Sequence, residues 1–167
     1  MDAIFNRSSV RRFLDKAVDD VQVVQLLKAA MCAPSAGNEQ PWHFVVVKNR
    51  ETLDAVTQFH PYTQMLKEAP LAIVACADIR DVKYGGDFWI QDMSAAVQNI
   101  LLEAVTLGLG TCWCGLYPKT ALVDPMKKLI ALPEGIEPVA IIAVGYALEA
   151  KEAPERFKAD RIHYETF

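Results

Sequence analysis

No block of like charges interrupts this 167-residue chain, no repeat recurs along it, and no apolar stretch runs unbroken for the length of a membrane span. Each absence removes a class of protein. Without an acidic or basic block there is no interaction tail. A net charge of −4 also argues against a dedicated nucleic-acid binder, which is ordinarily basic. Half the residues are hydrophobic (52%), so neither disorder nor a solenoid fits. The longest apolar region, Phe88 to Leu107, is broken by Gln91, Asp92, Gln98, Asn99 and Glu103, all of which a bilayer would have to bury. The length suits a single domain, 1–167, with a substantial core.

Cysteine is scarce as well, with four residues at Cys32, Cys76, Cys112 and Cys114. The opening MDAIFNRSS has no apolar run of the kind a secretory leader carries, so free thiols in a reducing cytosol are expected. Cys112-Trp-Cys114 is not a Cys-x-x-Cys pair, and His43, His60 and His163 are scattered. The cysteines therefore read as packing residues rather than a metal or redox centre. There is no Gly-x-Ser-x-Gly elbow, no His-Glu-x-x-His and no Walker loop. GLGTCWCG fails as a dinucleotide fingerprint, because its glycines close a helix and precede a strand. If the chain is an enzyme, a cofactor supplies the reactive atoms.

What is present reads as helices and strands in irregular order, hence α+β. Asp19 and Asp20 open a helix with apolar residues at Val23, Val24, Leu27 and Ala30. Strands are expected over 44–47, 71–77, 111–116 and 139–144, and further helices over 50–59, 88–107 and 120–130. Fully helical, 88–107 would span roughly 30 Å. Only a narrow polar stripe runs along it, so it should be buried nearly all round, with a second subunit covering part of it. The tail's Phe157, Tyr164 and Phe167 should dock on something.

Two stretches could hold a ligand. Asn6-Arg-Ser-Ser-Val-Arg-Arg-Phe13 packs three arginines and two serines into six residues of an acidic chain. Guanidinium and hydroxyl groups together suit a phosphate, although a solvated basic turn would look the same. If extended, Ser9 and Arg11 share one side and Arg12 takes the other. Ala33-Pro-Ser-Ala-Gly-Asn-Glu-Gln-Pro-Trp42 lies between a helix and a strand, and either turns a corner or holds something against its backbone.

RSSVRRF, then PSAGNEQPW, then a long apolar helix closing in GLGTCWCG: in this order the chain resembles the FMN-dependent nitroreductase family from Arg7 to its C-terminal RFKADRIHYETF. The resemblance implies a mixed sheet surrounded by helices, with the long central helix at a homodimer interface and two FMN molecules shared between subunits. It places Arg7, Ser8 and Ser9 at the phosphate and ribityl chain, and Arg11 beside the N1 and O2 edge of the flavin. Arg156 closes over the phosphate, with Arg161 the weaker alternative; Lys158 and Arg12 stay in solvent. Pro34, Ser35 and Ala36 would pack on the partner's ring, with Asn38 and Gln40 offering amide groups and Gly37 permitting the turn. Trp42 would belong to the core. Trp113, Cys114 and Gly115 match the strand near flavin N5; Cys114 stands where some relatives carry glutamate.

The activity implied is ping-pong hydride transfer from NADH or NADPH through flavin N5 to nitroaromatics, quinones or similar acceptors, with no side-chain catalyst. The alternative is a flavin-binding redox sensor or reservoir without turnover. The short stretch 78–87 implies an open pocket, with Tyr62, Phe88 and Trp89 as candidate rim residues. Neither nucleic acid nor a membrane is expected as a partner.

Overall fold

The computed structural model describes residues 2–149 and 155–167. Helix α1 (Ala3–Asn6) is a single turn, followed by an extended strip that reaches the edge of the sheet. Helix α2 (Asp20–Met31) begins at Asp19, where a capping box satisfies two end amides: the Asp19 carboxylate accepts from the Gln22 N–H, and the Gln22 side chain accepts from Asp19 N–H. Strand β1 (Trp42–Val47) and helix α3 (Arg50–Phe59) follow. Asn49 caps α3 by accepting the Thr52 N–H at 2.8 Å. Then come β2 (Leu71–Asp78), α4 (Trp89–Thr106), β3 (Gly110–Gly115), α5 (Thr120–Leu129) and β4 (Ile136–Gly145).

The sheet runs β1-β2-β4-β3, and all three ladders are antiparallel. The mixed character expected of it rests on one parallel bridge among the described residues, Ser9 to Thr111. Alternation sends Ile73, Ala75, Ala140, Ile142 and Val144 to one face, where they meet α2 and α4. Ala72, Val74, Ile141, Ala143, Cys112 and Cys114 go to the other, where they meet Leu53, Val56, Val123 and Met126 from α3 and α5. The result is helix, sheet, helix, with the central strands buried on both faces.

Helix α4 already buries Met93, Ala96, Val97, Ile100, Leu101 and Ala104 within its own chain. Half-buried Ile90, Ala95, Leu102 and Val105 flank an outer line of exposed Gln91, Gln98 and Thr106. One chain thus buries most of this helix, more than its sequence alone suggested. Among the described residues, no helix is long and apolar enough to cross a membrane.

The strands are longer than expected at two places. β4 starts at Ile136 rather than Val139, because Pro138 sits opposite Cys76 where the register shifts, and a proline lacking N–H is tolerated at such an irregularity. β1 takes in Trp42, which is buried (8% exposed) as a core residue.

Candidate functional site

The extended strip after α1 reaches β3 because two contacts hold it there. Val10 N–H donates to the Thr111 carbonyl at 2.9 Å, and Gly110 leaves room beneath it. A Cβ on Gly110 would lie 2.7 Å from the Val10 side chain, closer than carbon atoms approach, so glycine is what lets the strip lie flat on the strand. Beyond this point the strip leaves β3: Phe13 pairs with Ala147, just past the end of β4, and Glu68 clips the chain through Phe13 N–H at 3.1 Å and the Arg12 guanidinium at 3.0 Å. These two bonds hold the Glu68 carboxyl below its usual range, the Phe13 amide contributing most.

This crossing opens two cavities, each of about 760 Å³, which meet at Trp113. One is lined by Arg7, Ser9, Gln98, Thr111, Trp113 and Arg156. The other is lined by Arg11, His60, Tyr62, Trp113, Cys114 and Gly115. Ser9 opens onto the first cavity and Arg11 onto the second. Ser8 faces a separate hollow of about 150 Å³ beside Gly108 and Gly110. Arg12, exposed as expected, forms its ion pair with Glu68.

The edge of β3 gives the second cavity its polar wall. The Thr111 carbonyl points away from β4 toward Val10, and the Gly115 carbonyl points away toward His60, 3.0 Å from Nε2. Alternation along the strand gives the Trp113 backbone the same outward direction. His60 is buried (1% exposed), and its Nδ1 accepts the Tyr62 N–H at 3.3 Å. Its Nε2 thus carries the proton and donates to Gly115. The sequence showed His60 only as an isolated histidine; no local pattern marks it as a brace for the strand edge.

Cys112 and Cys114 are buried thiols on the α3/α5 face. The Cys114 Sγ–H donates to the Tyr62 carbonyl at 3.3 Å. Its pKa is pushed far upward, first by hydrogen bonding with Cys112 and then by burial, with Arg11 opposing weakly. Burial likewise raises Cys76 to about 12. Cys76 and Cys114 are thus held as thiols at neutral pH. Cys32 alone of the four is exposed. Among the described residues no cluster of three or more ligating side chains could hold a metal.

The 34–40 loop lies elsewhere and borders neither cavity. Gly37, Asn38 and Gln40 all adopt left-handed backbone, at φ 54°, 53° and 51°. Two of the three are not glycine, so this conformation costs energy and must be held by contacts. Gln40 N–H donates to Ser35 Oγ at 3.0 Å, and the Gln40 side-chain amide donates to Asn38 Oδ1 at 3.1 Å. From outside the loop, Asp92 of α4 accepts the Ala36 N–H at 3.0 Å and Lys83 Nζ donates to the Gly37 carbonyl at 2.7 Å. Pro34 stands exposed at the loop's start.

Of the candidate rim residues, Tyr62 lines the second cavity. Phe88 instead packs edge-on against Tyr84, with ring centroids 5.9 Å apart. Trp89 is buried (8% exposed), its ring edge-on to Tyr117 at 4.9 Å, and so belongs to the core. Arg161 lies in an exposed turn with Asp160, and Lys158 is exposed as expected.

The Nitroreductase family model matches residues 4–63 and 57–146, and the chain belongs to that family. A candidate NADH dehydrogenase/NAD(P)H nitroreductase of Archaeoglobus fulgidus is 46% identical over 165 residues, covering 97% of this chain and 95% of that protein. The crystal structure of a candidate NADH oxidase from Clostridium acetobutylicum superposes with a TM-score of 0.95 at 44% identity, covering 99% of this chain and 100% of that one. A candidate nitroreductase from Desulfovibrio desulfuricans, solved in complex with FMN, gives a TM-score of 0.84 at 32% identity, covering 99% and 95%. The chain is thus an oxidoreductase with an α+β nitroreductase fold.

Proposed function

We propose that this protein binds FMN and passes electrons from NADH or NADPH to nitroaromatics, quinones or similar electron-poor acceptors. The observation that carries the reading is the junction at Trp113. On one side Arg7, Ser9 and Arg156 line a cavity; on the other Arg11 stands beside an outward-facing strand edge. This donor set fits FMN. Two guanidinium groups and a hydroxyl suit its phosphate, and a fixed cation with backbone donors suits the ring edge that gains negative charge on reduction. When bound, FMN supplies the two-electron chemistry that links the nicotinamide donor to the acceptor, with N5 as the reacting atom.

The chain's own residues hold and shape. Arg7, Ser9 and Arg156 anchor the phosphate end, and Ser8 sits behind the strip that carries them. Arg11 balances charge at the ring's N1 and O2 edge. The strand segment Trp113, Cys114 and Gly115 presents the edge facing N5 through the outward backbone groups of Trp113 and Gly115, and His60 holds the Gly115 carbonyl. The loop of a second copy of this chain supplies Pro34, Ser35 and Ala36 against the ring, with Asn38 and Gln40 around it. Donor and acceptor take turns in one open cavity in the reducing cytosol, which is why no side-chain acid or nucleophile is needed.

The test is the visible spectrum of the purified protein, with the cofactor identified after heat release. Stopped-flow bleaching by NADH and NADPH should follow, then recovery on adding menadione or nitrofurazone. A colourless protein that stays colourless with added FMN overturns the reading; a yellow protein that bleaches sluggishly makes it a flavin reservoir instead.

A further inference from the structure

Among the described residues, two buried side-chain polar atoms lack any hydrogen-bond partner: Glu39 Oε1 and Asp92 Oδ2. Both belong to carboxyl groups that clamp the 34–40 loop. The other Asp92 oxygen accepts the Ala36 N–H at 3.0 Å, and the other Glu39 oxygen accepts the Lys83 N–H at 2.6 Å. Asp92 is only 6% exposed. Two ionised carboxylates with bare buried oxygens would repel each other and each would lack a donor, an arrangement folded proteins avoid. One proton removes both defects, because an O–H on either group donates to the bare oxygen of the other.

We propose that Glu39 and Asp92 share one proton, and that this proton holds the 34–40 loop on α4 in the shape that covers a flavin. The second clause rests on the function proposed above; the first does not. Asp92 is raised above its usual range, first by burial and then by Glu39 as hydrogen-bond partner and neighbouring charge, while the Ala36 amide pulls the other way. Lys83 and Tyr84 approach the loop from the 79–88 segment. The Lys83 ammonium donates to the Gly37 carbonyl rather than to either carboxyl, and the Tyr84 ring stands over Gly37. Neither carboxyl forms an ion pair among the described residues.

The sign follows from the raised value. The native state retains a proton on Asp92 that the unfolded chain gives up, so the clamp is intact at low pH and weakens as pH rises through the raised Asp92 value. Losing the proton puts two negative charges face to face beneath the loop. Glu39 and Asp92 are positioning residues: they act on the flavin through Ala36, Gly37 and their neighbours.

The experiment is infrared spectroscopy of the purified protein, read beside FMN titrations across pH, for wild type, Asp92→Asn and Glu39→Gln. Wild type should show a protonated-carboxyl C=O band at neutral pH that disappears in both variants. Its FMN dissociation constant should rise about tenfold per pH unit once the proton is lost. Asp92→Asn keeps an oxygen for the Ala36 amide and offers an N–H to Glu39, so its FMN affinity should stay flat over the same range. Glu39→Gln gives a second reading if the first variant folds poorly. Absence of the band in wild type overturns the acid pair. A band that behaves as expected, with FMN affinity indifferent to pH, overturns the link to flavin and leaves the pair standing.

Discussion

Two stretches carry the candidate flavin contacts, and the fold treats them in opposite ways. The 7–11 strip lies along its own sheet edge and opens onto cavities formed by its own chain. The 34–40 loop is held by Asp92 and Lys83 in a costly left-handed shape, yet it borders neither cavity. One half-site has its counterpart in the same chain; the other is built in full and faces outward. We read a loop braced this heavily, outside both cavities, as the half-site that the proposed second copy completes. That difference underlies the shared-site reading.

The sharpest way to break the comparison is to damage each half in a different chain. Arg7→Ala removes a cation from the phosphate cavity. Gly37→Val forces a branched side chain into a φ of 54°, where a Cβ would meet Lys83 and Tyr84 at 3.0 Å. Each variant alone should bind FMN poorly. Unfolded together and refolded, the mixed dimer contains one site with both halves intact and one with both damaged. Titration should then recover one tight site per mixed dimer; if each site lay within one chain, none would return.

A smaller effect sharpens the Arg7 half. Losing one charge-assisted contact costs about 1.5–3 kcal/mol, so Arg7→Ala should weaken FMN about tenfold to a hundredfold. Riboflavin, which lacks the phosphate, should bind the variant and wild type alike. Fluorescence titration of both flavins reads the contrast directly.

The smallest effect concerns how the strip is tied down. Glu68 is held below the usual carboxylate range, so its clip on residues 12 and 13 is present above that range and lost as pH falls through the lowered value. Glu68→Gln should flatten the acid side of the melting temperature's pH profile, with little change at neutral pH beyond the lost ion pair. An unchanged acid slope would show that the strip holds without the clip.

Much of the fold could be read from local pattern. Helix α3 falls on residues 50–59 as expected, because Asn49 gives a cap and the apolar spacing runs to Phe59. The start of β4 was hidden by Pro138, whose tolerance depends on a register shift in the neighbouring strand, a fact no local window contains. The strip and the loop were legible as motifs, but not the division of Ser9 and Arg11 between two cavities. Least legible was Asp92. In the sequence it is one polar interruption on an apolar helix; its partners Ala36 and Glu39 lie more than fifty residues away, and only tertiary packing brings them together.

Trp113 has one more consequence. Trp42 and Trp89 are each 8% exposed, while Trp113 is 36% exposed where the two cavities join. A quencher dissolved in the buffer would reach that indole first, and anything filling either hollow would shield it. The molecule thus carries its own optical gauge of occupancy, readable in ultraviolet emission without a dye or a substrate.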